Sequence, residues 1–175
     1  DAIVIGPQTA AVTKLRAARP QAVGADRIAN AIAARNAYGS PVIVVDFGTA
    51  TNIDVVDGRG AYRGGAISPG LMRSANALFS KAAKLASIPV EAPEHALGDT
   101  TETAMQSGLV IGAAAQAEGL VSRMKAELGI EQAKVIGTGG LARTVSRATD
   151  LFDAVDPTLT LRGIREIWLQ QHGGA

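Results

Sequence analysis

Asp46 ends a β-branched run, Val42 to Val45, and is followed at once by Phe47-Gly48-Thr49-Ala50-Thr51. A carboxylate beside a glycine turn flanked by hydroxyls suits phosphate. Gly48 permits close backbone approach, Thr49 and Thr51 supply hydroxyls next to backbone N–H groups, and Asp46 could hold a hydrated cation that offsets phosphate charge. The same residues also fit a plain turn that Asp46 merely caps. The Asp-Phe-Gly triplet occurs in protein kinases too, but here it comes without an HRD-type catalytic loop, an Ala-Pro-Glu segment, or a glycine-rich loop followed by a strand lysine.

A second carboxylate opens a helix. Gly24-Ala25-Asp26-Arg27 precedes Ile28, Ala31 and Ile32, which fall on one helical face, and the helix ends by Gly39. Asp26 in a first turn has two uses: it complements the helix dipole, or it is a carboxylate kept ionised by that dipole and available as a base. A third candidate is Lys134 to Gly140, KVIGTGG, a short strand running into glycines, with a helix expected from Leu141 to about Ala148. With Ala142 it satisfies a G-x-G-x-x-A dinucleotide fingerprint, and Asp156 lies at a plausible distance for a ribose contact. A Rossmann domain would place that fingerprint in its first βα turn, whereas here it comes late; strand-to-glycine turns also serve nucleosides in other folds.

The elements that must position these groups follow from pattern. Val42–Val45 is a buried strand, the chain re-enters a strand at Ile53–Val56, Asp57-Gly58-Arg59-Gly60 is a hairpin loop, and a third strand near Ala61–Ile67 stops at Ser68-Pro69-Gly70. Leu71, Ala75, Leu78, Ala82 and Leu85 mark an amphipathic helix over Leu71–Leu85 that packs on the sheet, and Ala86–Leu97 is a loop. Asp99-Thr100-Thr101-Glu102 resembles a capping box with Asp99 as the cap, opening a long helix to Leu128. Gly108, Gly112, Ala115 and Gly119 form a stripe of small residues along it, suited to close helix packing in the core or across a subunit boundary, the core being the expectation from residue types alone. Ala2–Gly6 reads as a strand, Gln8–Gln21 as mixed with Pro20 closing a loop, Asp156–Ile164 as the lead into a final helix with Trp168, and His172 to Ala175 as a frayed end.

Composition narrows the class. With 175 residues and 47% hydrophobic content the chain can bury a sizeable core. A net charge of +1 and 3% aromatic residues give neither a basic stripe nor stacking platforms, so nucleic acid is not expected as a partner. Cysteine is absent and His95 and His172 are far apart, which excludes disulfides and a spaced His/Cys metal motif. No signal segment is read, and no apolar run approaches the roughly 18 residues of a membrane span, so the expectation is a soluble cytoplasmic protein without membrane partners.

Taken together, GADR (Gly24–Arg27), DFGTAT (Asp46–Thr51), GGAISPG (Gly64–Gly70), TTETAMQSG and GTGG occur in an order that resembles the type III pantothenate kinases of the CoaX/Baf-like group, within the acetate and sugar kinase, Hsp70 and actin superfamily. The resemblance runs from about Ala2 to Ile167. It implies an α/β, actin-like ATPase (ribonuclease H-like) fold, with an antiparallel three-strand meander and helices packed on a mixed sheet. Residues 1–23 would be the end of an N-terminal subdomain and its connection, and residues 24–175 a C-terminal domain with the pantothenate site and a dimer helix. It further implies a homodimer that uses ATP, Mg²⁺ and a monovalent cation, K⁺ or NH₄⁺, to phosphorylate pantothenate, the first step of coenzyme A synthesis.

Carried over by position, Asp26 would be the general base on the pantothenate primary hydroxyl, with Gly24, Ala25 and Arg27 beside it in the substrate site. Asp46 would contact the monovalent cation, and Gly48 and Thr49 the ATP phosphates. Gly64, Gly65 and Ile67 would shape the pantothenate pocket, Thr101 would reach pantothenate from the neighbouring subunit, and Gly137, Gly139 and Gly140 would face adenosine. The family also opens on an Asp-x-Gly-Asn-Thr-like strand-turn with a further acidic residue for Mg²⁺. Nothing before Gly24 matches it, so either the chain is part of a longer one or its phosphate site lacks that loop. Two rival readings are a non-catalytic nucleotide- or partner-binding member of the superfamily and a dinucleotide-dependent oxidoreductase built on GTGGLA.

Overall fold

The computed structural model describes residues 4–6, 20–81 and 87–172. Five strands form one mixed sheet in the order β3-β2-β1-β4-β5, with β1 Val42–Phe47, β2 Ala50–Val56, β3 Tyr62–Pro69, β4 Lys134–Thr138 and β5 Ala154–Val155. β1, β2 and β3 are successive antiparallel neighbours, whereas β4 lies parallel to β1 and β5 parallel to β4. The first three strands each run a residue or more beyond their expected bounds, so Asp46 lies within β1 and Ser68-Pro69 within β3. Backbone pairing continues past the point where the apolar pattern stops.

Alternation divides the sheet into two faces. Val42, Val44 and Val56 pack with Tyr62 and Ile136 on one, where α1 (Ala25–Tyr38) lies against the sheet and is backed by α6 (Leu159–His172). Every residue from Ile28 to Ala34 is therefore buried, Asn30 included, and the expected single apolar face understates how α1 is enclosed. The opposite face carries Ile43, Val45, Phe47, Ile53 and Val55 under Leu71 and Ala75 of α2 (Leu71–Lys81) and under Val110, Ala114, Ala117 and Val121 of the long helical segment. That segment is α3 (Thr101–Gln106), a π turn at Ser107–Ile111, and α4 (Gly112–Leu128). α5 (Ala142–Val145) follows β4.

Several expectations need correction. Thr100, not Asp99, is the α3 cap, sharing reciprocal hydrogen bonds with Thr103, while Asp99 accepts from the Thr103 hydroxyl at 3.2 Å. Gly108, Gly112, Ala115 and Gly119 are all exposed, so the stripe is not core packing within this chain. Val4 to Gly6 carry no strand, and Pro20–Ala22 is a 3₁₀ turn. The expected strand at Ala2–Ile3, most of Gln8–Gln21, the helix beyond Lys81 and the frayed end after His172 lie outside the described residues. Among the described residues no helix is long and apolar enough to cross a membrane.

Candidate active site

Asp26 and Asp46, 20 positions apart in sequence, line one cleft of ≈ 440 Å³ together with Gly48, Thr49, Ala50, Asn52, Pro69 and Arg73. The fold brings them together because α1 runs over the sheet face to which Asp46 points. Asp26 is exposed in the first turn of α1, after the cap residue Gly24, and folds back on it: its Oδ1 lies 2.6 Å from where a Gly24 Cβ would stand. Arg27, the next residue, reaches Asp54 of β2. Its Nε donates to Asp54 Oδ1 at 2.9 Å and Oδ2 at 3.2 Å, and Nη2 lies 2.6 Å from Oδ1. One turn further along α1, Asn30 donates to Asp46 Oδ2 at 2.9 Å and accepts from the Thr160 hydroxyl of α6 at 2.7 Å.

Two residues of α1, Arg27 and Asn30, thus serve two carboxylates of the sheet face, Asp54 and Asp46, with the Asp26 carboxylate close by. Burial pushes the Asp46 carboxyl above the ordinary carboxylate range; the Asn30 hydrogen bond opposes this, and the nearby charges of Asp26 and Asp54 add to it. Asp54 is also raised by burial, against the pull of Arg27 and of the Tyr62 hydroxyl, which donates to its Oδ1 at 2.7 Å. The guanidinium of Arg27 is held protonated: burial works against its charge, and Asp54 more than offsets that.

The glycine turns converge on Asp46. β1 and β4 are parallel neighbours with Asp46 opposite Thr138, so the turns that follow them lie side by side. A Cβ on Gly139, whose φ is +91°, would stand 2.4 Å from Asp46 Oδ1, and one on Gly48 3.4 Å from the same atom. Gly70 supports the Gly48-Thr49 turn from beneath, since a Cβ there would meet the carbonyls of Gly48 at 2.5 Å and Thr49 at 2.4 Å. Ile67 stands opposite Asn52 in the β2–β3 register on the α1 face and is 63% exposed, whereas Gly65, opposite Asp54, lines with Gly64 a separate depression beside Val55, Arg63, Met124 and Leu128. Gly64 has φ +101° at the irregularity between Val55 and Val56.

Other candidates lie elsewhere. Thr51 points to the opposite sheet face, beside Leu71, Leu109 and Gln116, and its hydroxyl is not part of the phosphate turn as expected. Gly137 is buried against the Phe152 ring, whose Cδ1 would be 3.2 Å from an added Cβ; of the GTGG run it is Gly139 that backs onto Asp46, while Gly140 is exposed. Thr101 lines a separate depression with Ser74, Leu78, Met105 and Gly108, and Ala25 is exposed at the start of α1. Asp156, assigned to ribose in the dinucleotide reading, is committed to structure: its carboxylate accepts from Thr158, Tyr38 and Arg162, and its backbone carbonyl from Thr138. Burial alone would raise its pKa, but these hydrogen bonds leave it below the usual range. That arrangement speaks against the oxidoreductase.

Asp54, Asn30, Asn52, Tyr62 and Arg73 were not singled out from the sequence. A signal existed for two of them: Asp54 interrupts an otherwise apolar strand, and Asn30 follows Asp26 by four positions on the same helical face. No such pattern marks Arg73, which only the fold brings to the cleft. Among the described residues no group of three or more His, Cys, Asp or Glu side chains is placed to hold a metal ion.

The family model for type III pantothenate kinases matches residues 1–123. A type III pantothenate kinase of Agathobacter rectalis is 48% identical over 153 residues, which cover 87% of this chain and 59% of that protein, so the chain spans about three fifths of that relative's length. A solved structure from Campylobacter jejuni, described as a Baf family transcriptional activator, superposes with a TM-score of 0.65 at 23% identity, covering 89% of this chain and 67% of that one; this likeness shows a shared fold. With the matched segment carrying both cleft carboxylates and the Gly48-Thr49 turn, the chain belongs to the type III pantothenate kinase family.

Proposed function

We propose that the protein transfers the γ-phosphoryl group of ATP to the primary hydroxyl of pantothenate, the entry reaction of coenzyme A synthesis, as a cytoplasmic homodimer. The observation that carries this reading is the single cleft in which Asp26 and Asp46 face the Gly48-Thr49 turn. Phosphoryl transfer asks mainly for positioning and charge stabilisation. Asp26, exposed and with no side-chain hydrogen bond among the described residues, is the base that takes the hydroxyl proton as the new phosphorus–oxygen bond forms and ADP leaves. The turn presents backbone N–H groups and the Thr49 hydroxyl to the phosphates, and Arg73, at the cleft wall, adds positive charge where ATP brings negative.

The oxygen donors around Asp46 fit a hard monovalent cation. Asn30 occupies one carboxylate oxygen and leaves the other toward the turns, and a cation there would offset the like charges that crowd Asp46. When bound, K⁺ or NH₄⁺ would supply that neutralisation and Mg²⁺ would screen the ATP phosphates, although among the described residues no group of three or more His, Cys, Asp or Glu side chains is placed to hold a metal ion. Gly24, Ala25, Arg27, Gly64, Gly65 and Ile67 form the pantothenate side, and Gly139 and Gly140, with Gly137 behind them, the adenosine side. Residues 24–175 make up the domain that holds this site, with residues 1–23 leading into it. Thr101, away from this chain's own cleft, would complete the site of a partner docked along the exposed Gly108–Gly119 stripe.

The test is pantothenate-dependent ADP release by the full chain with MgATP and K⁺, with 4′-phosphopantothenate identified by mass. Folded protein that binds ATP yet releases no ADP on adding pantothenate would overturn the reading and favour a non-catalytic role.

A further inference from the structure

We propose that Asp54 and Tyr62 are positioning residues for substrate binding, fixing the Arg27 guanidinium so that its free edge receives the carboxylate end of pantothenate. The inference rests on the functional reading above and deepens it. Arg27 is clamped along one edge only: Nε and Nη2 meet Asp54, and no hydrogen bond among the described residues uses Nη1. The clamp is itself rigid. Asp54 is 1% exposed, and its Oδ1 also accepts from the Tyr62 hydroxyl at 2.7 Å, while the Tyr62 ring lies with its centroid 5.9 Å from Arg27 Cζ. A planar guanidinium held through Nε and Nη2 has its Nη1/Nη2 end aimed, and that end can bind a carboxylate in two parallel hydrogen bonds.

The surroundings suit that ligand: Ile67, in register with Asn52 on the same face, gives an exposed apolar wall for a carbon chain. Reach agrees as well. Asp54 lies two strand residues beyond Asn52, which pairs with Asp46, a separation of roughly 6.6 Å at the usual strand rise. An extended pantothenate whose hydroxyl sits between Asp26 and the phosphate turn would carry its carboxylate several bonds further along the same face. Stability alone does not explain the arrangement, because a buried ion pair is often no better than apolar packing of similar volume.

The experiment is calorimetric titration of the full chain with pantothenate and with pantothenol, in which the carboxylate is replaced by an alcohol. The wild type should prefer pantothenate by at least about tenfold. Tyr62→Phe should lose most of that preference through weaker pantothenate binding, with pantothenol affinity unchanged, and Asp54→Asn should do so more fully. Tyr62→Phe removes a single hydroxyl and decides the matter if Asp54→Asn fails to fold. Pantothenate binding that is unchanged in Tyr62→Phe, or an equal loss for both ligands, overturns the inference alone. Binding of neither ligand by the wild type overturns the pantothenate reading and this inference with it.

Discussion

Gly139→Ala should damage stability and catalysis together. The φ of +91° lies in the left-handed region, which costs an L-residue about 1–2 kcal/mol. An added Cβ would stand 2.4 Å from Asp46 Oδ1 and 2.7 Å from the carbonyl carbon and oxygen of Phe47. The backbone contact cannot be relieved by a rotamer change, and overpacking of this kind costs about 1–3 kcal/mol more. The sum, about 2–5 kcal/mol, corresponds to a Tm lowered by about 4–20 °C in a chain of this size. Gly140→Ala is the control: an added Cβ meets nothing within 4 Å and φ is not positive, so its stability should stay within about 0.5 kcal/mol of wild type. Urea unfolding of both variants, beside ATP turnover, makes the comparison. If Gly139→Ala were as stable and as active as Gly140→Ala, the convergence of the two glycine turns on Asp46 would be refuted.

Asp26→Asn should lower kcat by roughly 10²–10⁴ with little change in pantothenate affinity, since a general base acts in the transition state; rate and binding measured on the same preparation separate the two. Asp46→Asn should stabilise the protein while removing activity. The folded-state pKa of Asp46 is raised, so its contribution to stability is fully present below the ordinary carboxylate range and is lost as pH rises through the folded value. The gain of the Asn variant should therefore be present at pH 7 and vanish near pH 3, as read from unfolding midpoints. Gly112→Leu, at an exposed helix position, should leave the monomer as stable as before or up to about 1 kcal/mol more so, while sedimentation shows loss of dimer and pantothenate affinity falls with it. Full affinity in a monomeric Gly112→Leu protein would confine the stripe to some other use.

The chemistry-bearing residues were legible in the sequence where a local pattern marked them. Asp46 stood at the end of a β-branched run before glycine and Asp26 at a helix start, and periodicity gave most elements within a few residues. What the pattern did not carry is which face of the sheet each side chain uses. Thr51 lies two positions from Thr49 in the same motif, yet Thr49 sits in the turn while Thr51 is already inside β2 opposite Phe47 and shares that residue's layer, so the two hydroxyls are not equivalent. Gly137 and Gly139 divide in the same way, one under Phe152 and the other against Asp46. The exposure of the Gly108–Gly119 stripe also follows from how the long helix is turned on the sheet, because small residues carry too little hydrophobicity to show which side is buried. The partners of the carboxylates are the clearest case. Asp54 and Asp46 meet Arg27 and Asn30 only because α1 crosses β1 and β2 at that point, and interactions spanning 27 and 16 residues leave no mark on local composition.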